Sequence, residues 1–265
     1  MTVPIETRAL TRRFGAVTAV DHVDLTVRAQ EMFGLLGPNG AGKTTTIKML
    51  ITLLPPSEGT ARVAGHDVVA ESAQVRRSIG YVPQMVSADG ALTGAQNLRL
   101  SARLYHLPRA EREPRIRDAL RFMGLEDAAD RMARTYSGGM IRRLELAQAM
   151  LHRPTVLFLD EPTVGLDPIA RAAVWEHVRR LRDREGATIL LTTHYMEEAD
   201  ELCDRIAIML AGKIVATGTP SELKAEVGPD ATLDDAFAHI AGADIETGGS
   251  YRDVARTRRT ARRLG

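Results

Sequence analysis

Gly37-Pro38-Asn39-Gly40-Ala41-Gly42-Lys43-Thr44 is the stretch that decides how this chain reads. Just upstream, Met32-Phe33-Gly34-Leu35-Leu36 is a continuous apolar run, the pattern of a strand buried on both faces. Downstream, residues from Gly42 to about Leu53 read as a helix that Pro55-Pro56 stops. Strand, glycine-rich turn and helix in that order form the context in which this spacing holds phosphate. Glycines at 37, 40 and 42 let the backbone wrap closely and aim N–H groups at phosphate oxygens. The helix start after Gly42 adds its positive dipole end. Lys43 can reach the outer phosphates, and the hydroxyl of Thr44 can ligate Mg²⁺. Pro38, Asn39, Ala41 and Thr45 complete the expected nucleotide cradle.

Two later motifs gain meaning from that loop. Val156-Leu157-Phe158-Leu159 is a second buried strand, and it delivers Asp160 to the carboxyl edge of a sheet, where ligands bind. Asp160 is placed there for Mg²⁺, and Glu161, one residue on, for an attacking water. Alone, adjacent acids at a strand end would read as caps for the next helix. Ser137-Gly138-Gly139 opens a helix running through Leu144, Ala147 and Met150, and offers free backbone N–H groups to an anion. Alone, that serine would read as an ordinary N-cap. The phosphate loop upstream turns both readings toward a nucleotide.

The rest of the chain alternates strand and helix. Ile5 to Phe14 and His22 to Val27 read as antiparallel strands. Gly59 to Gly65 and Ile79 to Val82 also read as strands. From Leu92 to about Met132, leucines and alanines recur among many Arg and Glu residues, a helical lobe punctuated by Pro108 and Gly124. Pro168 to Arg184 reads as a helix with proline in its first turn, and Thr188 to Thr192 as a buried strand. A hairpin is expected around Ala211-Gly212, and a short amphipathic helix from Ala231 to Ile240. The predicted architecture is an α/β P-loop core with a mixed sheet, an N-terminal antiparallel region and a helical subdomain inserted at about 90–152. It spans residues 1–240, and an Arg-rich tail, expected to be flexible, follows at 241–265.

Bulk properties narrow the class. The 265 residues carry a net charge of +1, so no global field draws the chain to nucleic acid. The single cysteine, Cys203, excludes an intrachain disulfide framework and reads as a buried structural thiol. No apolar run approaches the ~20 residues that cross a bilayer, and Met1 to Arg13 lacks a signal-peptide core. A soluble cytoplasmic protein is expected, and any membrane role needs another polypeptide. The histidines at 22, 66, 106, 152, 177 and 239 show no metal-ligand spacing. Six arginines between Arg252 and Arg263 face Asp253 alone, a solvated end or a site for anionic lipid.

The order P-loop, Gln84, Ser137-Gly138-Gly139, Asp160-Glu161, Leu166-Asp167, His194 resembles the ATP-binding cassette of ABC transporters over residues 5 to about 240. The runs Gly34 to Thr46, Tyr136 to Met140 and Thr192 to Ala199 resemble the daunorubicin-resistance type, the ATPase subunits of ABC-2 exporters. The resemblance implies that Phe14 stacks on adenine and that Gln84 touches Mg²⁺ or the attacking water. His194 would contact the γ-phosphate, Glu161 would act as general base, and Asp167 would lie in the loop that crosses between subunits. It also implies ATP and Mg²⁺ as cofactors, a second copy meeting each P-loop with Ser137-Gly138-Gly139, and a separate multi-helix permease on the inner face of the cell membrane. Exposed apolar positions of the helical lobe are expected to dock on that permease. The family's usual Leu-Ser-Gly-Gly-Gln has Tyr136 and Met140 at its ends here, while the Ser-Gly-Gly is kept. A further C-terminal region, common in related export ATPases, is expected to be short or missing. The rival reading is a non-transport cassette ATPase serving a soluble or nucleic-acid machine. A lobe too short for a coiled-coil insertion and a single cassette both disfavour it.

Overall fold

The computed structural model describes residues 3–246, so the Arg-rich stretch from Arg252 onward lies outside the described residues. The N-terminal strands are β1 (Ile5–Phe14), β2 (Val17–Val27), β3 (Met32–Leu36), β4 (Glu58–Val63), β5 (His66–Asp67) and β6 (Ile79–Val82). Between them lie α1 (Lys43–Leu50) and α2 (Ser72–Ser78). The helices α3 (Gly94–Leu104), α4 (Arg109–Phe122) and α5 (Gly138–Met150) come next. The chain then alternates through β7 (Val156–Asp160), α6 (Pro168–Glu185), β8 (Thr188–Thr193) and α7 (Met196–Leu202). It ends with β9 (Arg205–Leu210), β10 (Lys213–Gly218), α8 (Pro220–Ala225) and α9 (Leu233–Glu246).

Two sheets form. One is antiparallel in the order β2-β1-β4-β5, and the other runs β10-β9-β3-β8-β7-β6. Strand β3 pairs parallel with β8 and β9, as β7 does with β8 and β6, so the carboxyl ends of β3, β7 and β8 share one edge. The continuous apolar runs are explained by burial on both faces. Phe33, Leu35, Phe158, Leu190 and Met209 point into a core shared with the antiparallel sheet and α1. Their neighbours Met32, Leu36, Leu157, Leu159, Ile189, Leu191 and Ile208 point into a second core, with α5, α6 and α7. That second core also takes in Leu98, Ile116 and Leu120 of the helical lobe, so lobe and sheet share one apolar cluster.

Several boundaries depart from the sequence pattern, each for a local reason. Helix α1 ends at Leu50, before the prolines, because Thr52 adopts φ 66° and the N–H groups of Leu53 and Leu54 turn back to the Lys48 carbonyl. Strand β2 begins at Val17, where Phe14 pairs with it across Gly15. Helix α9 continues past residue 240 to Glu246. Cys203 sits one residue beyond α7, buried against Gly34, with its thiol pushed up by desolvation. Among the described residues no helix is long and apolar enough to cross a membrane.

Candidate active site

The turn after β3 is built without room for side chains. A Cβ on Gly37 would lie 2.2 Å from the Met209 carbonyl oxygen, and Gly42 takes φ 109° where α1 begins. The β9–β10 hairpin buttresses the loop, since the Gly212 N–H donates to the Ala41 carbonyl at 2.9 Å. Ala211 and Gly212 both have positive φ, as a tight two-residue hairpin turn requires.

Into this cradle Lys43 folds back, donating to the carbonyls of Gly37 at 2.6 Å and Pro38 at 3.1 Å. Its ammonium lies 3.4 Å from Glu161 Oε1, and both side chains are almost wholly buried. Desolvation lowers the Lys43 pKa, and the nearby Glu161 and Asp160 carboxylates oppose that shift. Asp160 accepts from the hydroxyls of Thr192 at 2.6 Å and Thr44 at 3.1 Å. Burial raises its pKa, and the two hydroxyls pull it back.

Glu161 leaves the strand with φ 48°, a left-handed conformation that a non-glycine residue holds only where the surroundings impose it. Its N–H is fixed on both the carbonyl and the hydroxyl of Thr192, each at 3.1 Å. Gln84 Nε2 donates to Glu161 Oε2 at 2.9 Å, and His194 Nδ1 lies 3.4 Å from the same oxygen. That histidine nitrogen is buried and, among the described residues, has no hydrogen-bond partner.

A cleft of about 330 Å³ results, lined by Ala19, Asn39, Gly40, Gly42, Lys43, Thr44, Thr45, Gln84 and Glu161. A larger hollow of about 490 Å³ lies between α4, α5 and α6, near Phe122, Met150 and Leu181, and contains none of the motif residues.

The other motif residues stand apart from the cleft. Phe14 is 48% exposed, with the Arg12 guanidinium 4.7 Å above its ring, and does not line the cleft. Ser137 caps α5 by accepting from the Met140 N–H at 3.3 Å, and Asp167 caps α6 by accepting from the Ala170 N–H at 2.9 Å. The two caps are neighbours, since a Cβ on Gly139 would lie 3.0 Å from Ala170 Cβ. Tyr136 donates its hydroxyl to the Ala128 carbonyl at 2.6 Å, pinning this loop to the lobe.

Sequence reasoning missed Thr192, which orients both acids from the adjacent strand. It also missed Arg142 and Glu145 on α5. Their only signal was charge on a helix face that otherwise carries Leu146 and Ala149.

A parallel sheet edge carrying a phosphate loop, two consecutive acids, a glutamine and a histidine defines a P-loop nucleoside triphosphatase, and the antiparallel sheet with the helical lobe narrows it to the cassette type. The family described as "ABC transporter" matches residues 20–164. The chain is 50% identical over 224 residues to the daunorubicin/doxorubicin resistance ATP-binding protein of Streptomyces peucetius, covering 84% of this chain and 68% of that one. It is 46% identical over 232 residues to the doxorubicin resistance ATP-binding protein of Mycobacterium tuberculosis, covering 88% and 68%. A solved ATP-binding subunit of an ABC transporter superposes with a TM-score of 0.80 at 33% identity, over 91% of this chain and all of that one. The chain belongs to the ABC transporter family, as an ATP-binding subunit that hydrolyses ATP alongside a membrane permease.

Proposed function

We propose that two copies close head to tail over two ATP molecules, each P-loop meeting the other copy's Ser137-Gly138-Gly139, and that opening and closing drives export by a separate ABC-2 type permease. The observation that carries this reading is the cluster around Glu161. Gln84, His194 and Lys43 converge on one carboxylate beside the phosphate cradle.

The residues fit Mg²⁺. The Thr44 hydroxyl and the Asp160 carboxylate lie 3.1 Å apart as hard oxygen donors, and among the described residues no cluster of three His, Cys, Asp or Glu competes for a metal. Gln84 stands beside them on the loop after β6. Bound with ATP, the ion would supply neutralisation of charge building on the phosphates.

The chain's own groups do the rest. The amides of residues 37–45 and the Lys43 ammonium hold the phosphates, and Lys43 exchanges the Gly37 and Pro38 carbonyls for them. Glu161 takes the proton of the attacking water, held in place by Gln84 and by its own strained turn. His194 donates to the γ-phosphate, and Phe14 stacks on the adenine. In a closed dimer the α5 N-terminus of one copy faces the γ-phosphate of the other. Asp167 crosses at the same junction. Loss of the γ-phosphate removes what those amides bind, so hydrolysis reopens the dimer.

The named resistance to daunorubicin and doxorubicin of similar proteins supports an amphipathic, drug-like cargo here. Residues 1–240 act as the cassette, with 90–152 as its helical subdomain, at the cytoplasmic face of the membrane. Exposed Met85, Val86, Leu100 and Leu104 form the apolar surface offered to the permease.

The test is a pull-down of tagged Glu161→Gln with ATP from detergent-solubilised native membranes. Recovery of a stoichiometric multi-helix protein supports the reading. Recovery of ribosomes, DNA or a soluble complex moves the non-transport ATPase to first place.

A further inference from the structure

The loop after β6 carries Gln84 to Glu161 yet has little means of holding itself. Residues 83–87 form neither helix nor strand, and Met85 and Val86 are 82% and 62% exposed. One turn of α5 grips the loop from behind. Arg142 Nη1 donates to the Pro83 carbonyl at 2.7 Å, and Nη2 donates to the Gln84 carbonyl. Glu145 accepts from the Ser87 hydroxyl at 2.9 Å and from the Ser87 N–H. Arg142 and Glu145 pair with each other at 2.9 Å, and both are almost wholly buried.

Two charges withdrawn from water contribute little net stability, and a well-packed apolar pair of similar volume is often as good or better. Fold stability is therefore a weak account of this pair. What an apolar pair cannot do is hold three backbone groups and a hydroxyl of one loop at fixed positions. The helix that carries the pair is the one that begins at Ser137-Gly138-Gly139. A shift of the loop at Gln84 is thus transmitted along a rigid helix to that start.

We propose that Arg142 and Glu145 are positioning residues, a clasp through which the Gln84 loop and the Ser137-Gly138-Gly139 helix start move as one body. The state of the nucleotide beside Glu161 in one copy then reaches the site that this copy completes in its partner. The inference rests on the head-to-tail ATPase reading above. It makes turnover cooperative in ATP, while nucleotide affinity of the single chain, set by the P-loop, does not depend on the clasp.

The experiment uses the purified full chain and the double variant Arg142→Met/Glu145→Met, which leaves no unpaired buried charge. Binding of a fluorescent ATP analogue is expected to stay within about twofold of wild type. The kcat should fall on the order of tenfold, with a Hill coefficient near 1. Gln84→Ala should lower kcat in the wild-type background and add nothing in the double variant, because both act through the same amide. Arg142→Lys, which keeps the charge and one donor, should recover part of the loss. A Gln84→Ala cost that is equal in both backgrounds overturns the clasp, as does an unchanged Hill coefficient. Should the double variant fail to fold, Ser87→Ala removes one grip and is read by the same cycle. If the wild-type chain turns over no ATP by itself, head-to-tail closure of two copies alone is what fails, and amide exchange then decides the clasp. Residues 83–87 and 137–140 losing protection together in the variant supports it, and loss at 83–87 alone overturns it.

Discussion

The cleft beside β3 and the start of α5 are both anion sites in design, yet they differ in how much one chain completes. Around the cleft, polar groups already face one another. Lys43, Glu161, Gln84 and His194 are within 3.4 Å of a partner or of one another, and the acids are held by Thr192. At the neighbouring starts of α5 and α6, Ser137 and Asp167 are exposed, and among the described residues their side chains bond within their own helices. The first region is preorganised for chemistry, whereas the second leaves Ser137 and Gly138 exposed to solvent. On the proposed reading, the second is finished by another copy of the chain.

The largest effect that separates the regions lies at Glu161. Glu161→Gln keeps the contact to Gln84 but removes the base, so turnover should fall by about 10²–10⁴-fold with ATP affinity retained. A steady-state ATPase assay beside equilibrium binding checks both. Next comes Ser137→Asp. Aspartate caps a helix as well as serine, so the unfolding midpoint should hold while turnover drops on the order of a hundredfold from repulsion of the partner's phosphates. Normal turnover in that variant would reduce Ser137 to a cap and erase the contrast.

A third prediction tests the joint between lobe and sheet. His152 stacks on Tyr105 at 3.7 Å and bonds the Ile79 carbonyl at 2.9 Å, and burial pushes its pKa down to about 4. The unfolded chain binds that proton first, so the stabilising contribution is full above the unfolded value near 6.5 and is lost as pH falls toward 4. Urea unfolding at pH 7.5 and pH 5 should show a loss on the order of 2 kcal/mol. His152→Phe, which keeps the stack, should flatten that dependence. The smallest effect is at Phe14. Phe14→Ala should weaken ATP binding by about 1 kcal/mol and Phe14→Trp should restore it, as measured by titration calorimetry.

Much of this was legible in the sequence because strand burial and loop chemistry are local. Met32–Leu36 and Val156–Asp160 announced themselves as apolar runs ending in functional residues, and the glycines of the P-loop fixed the turn. Helix α8 was missed although Thr219, Pro220 and Glu222 form a capping box with proline in the first turn. Short helices have too few periodic positions to stand out. Thr192 and the Arg142–Glu145 pair were invisible for another reason. Their partners are distant in sequence, at Asp160 and at residues 83–87, and only the parallel register and the packing of α5 bring them together.

The head-to-tail claim is tested most directly by sedimentation of Glu161→Gln with and without Mg·ATP. The account predicts a monomer without nucleotide, a dimer with ATP, and no dimer when Ser137→Asp is added. A monomer that stays monomeric when saturated with ATP would contradict it.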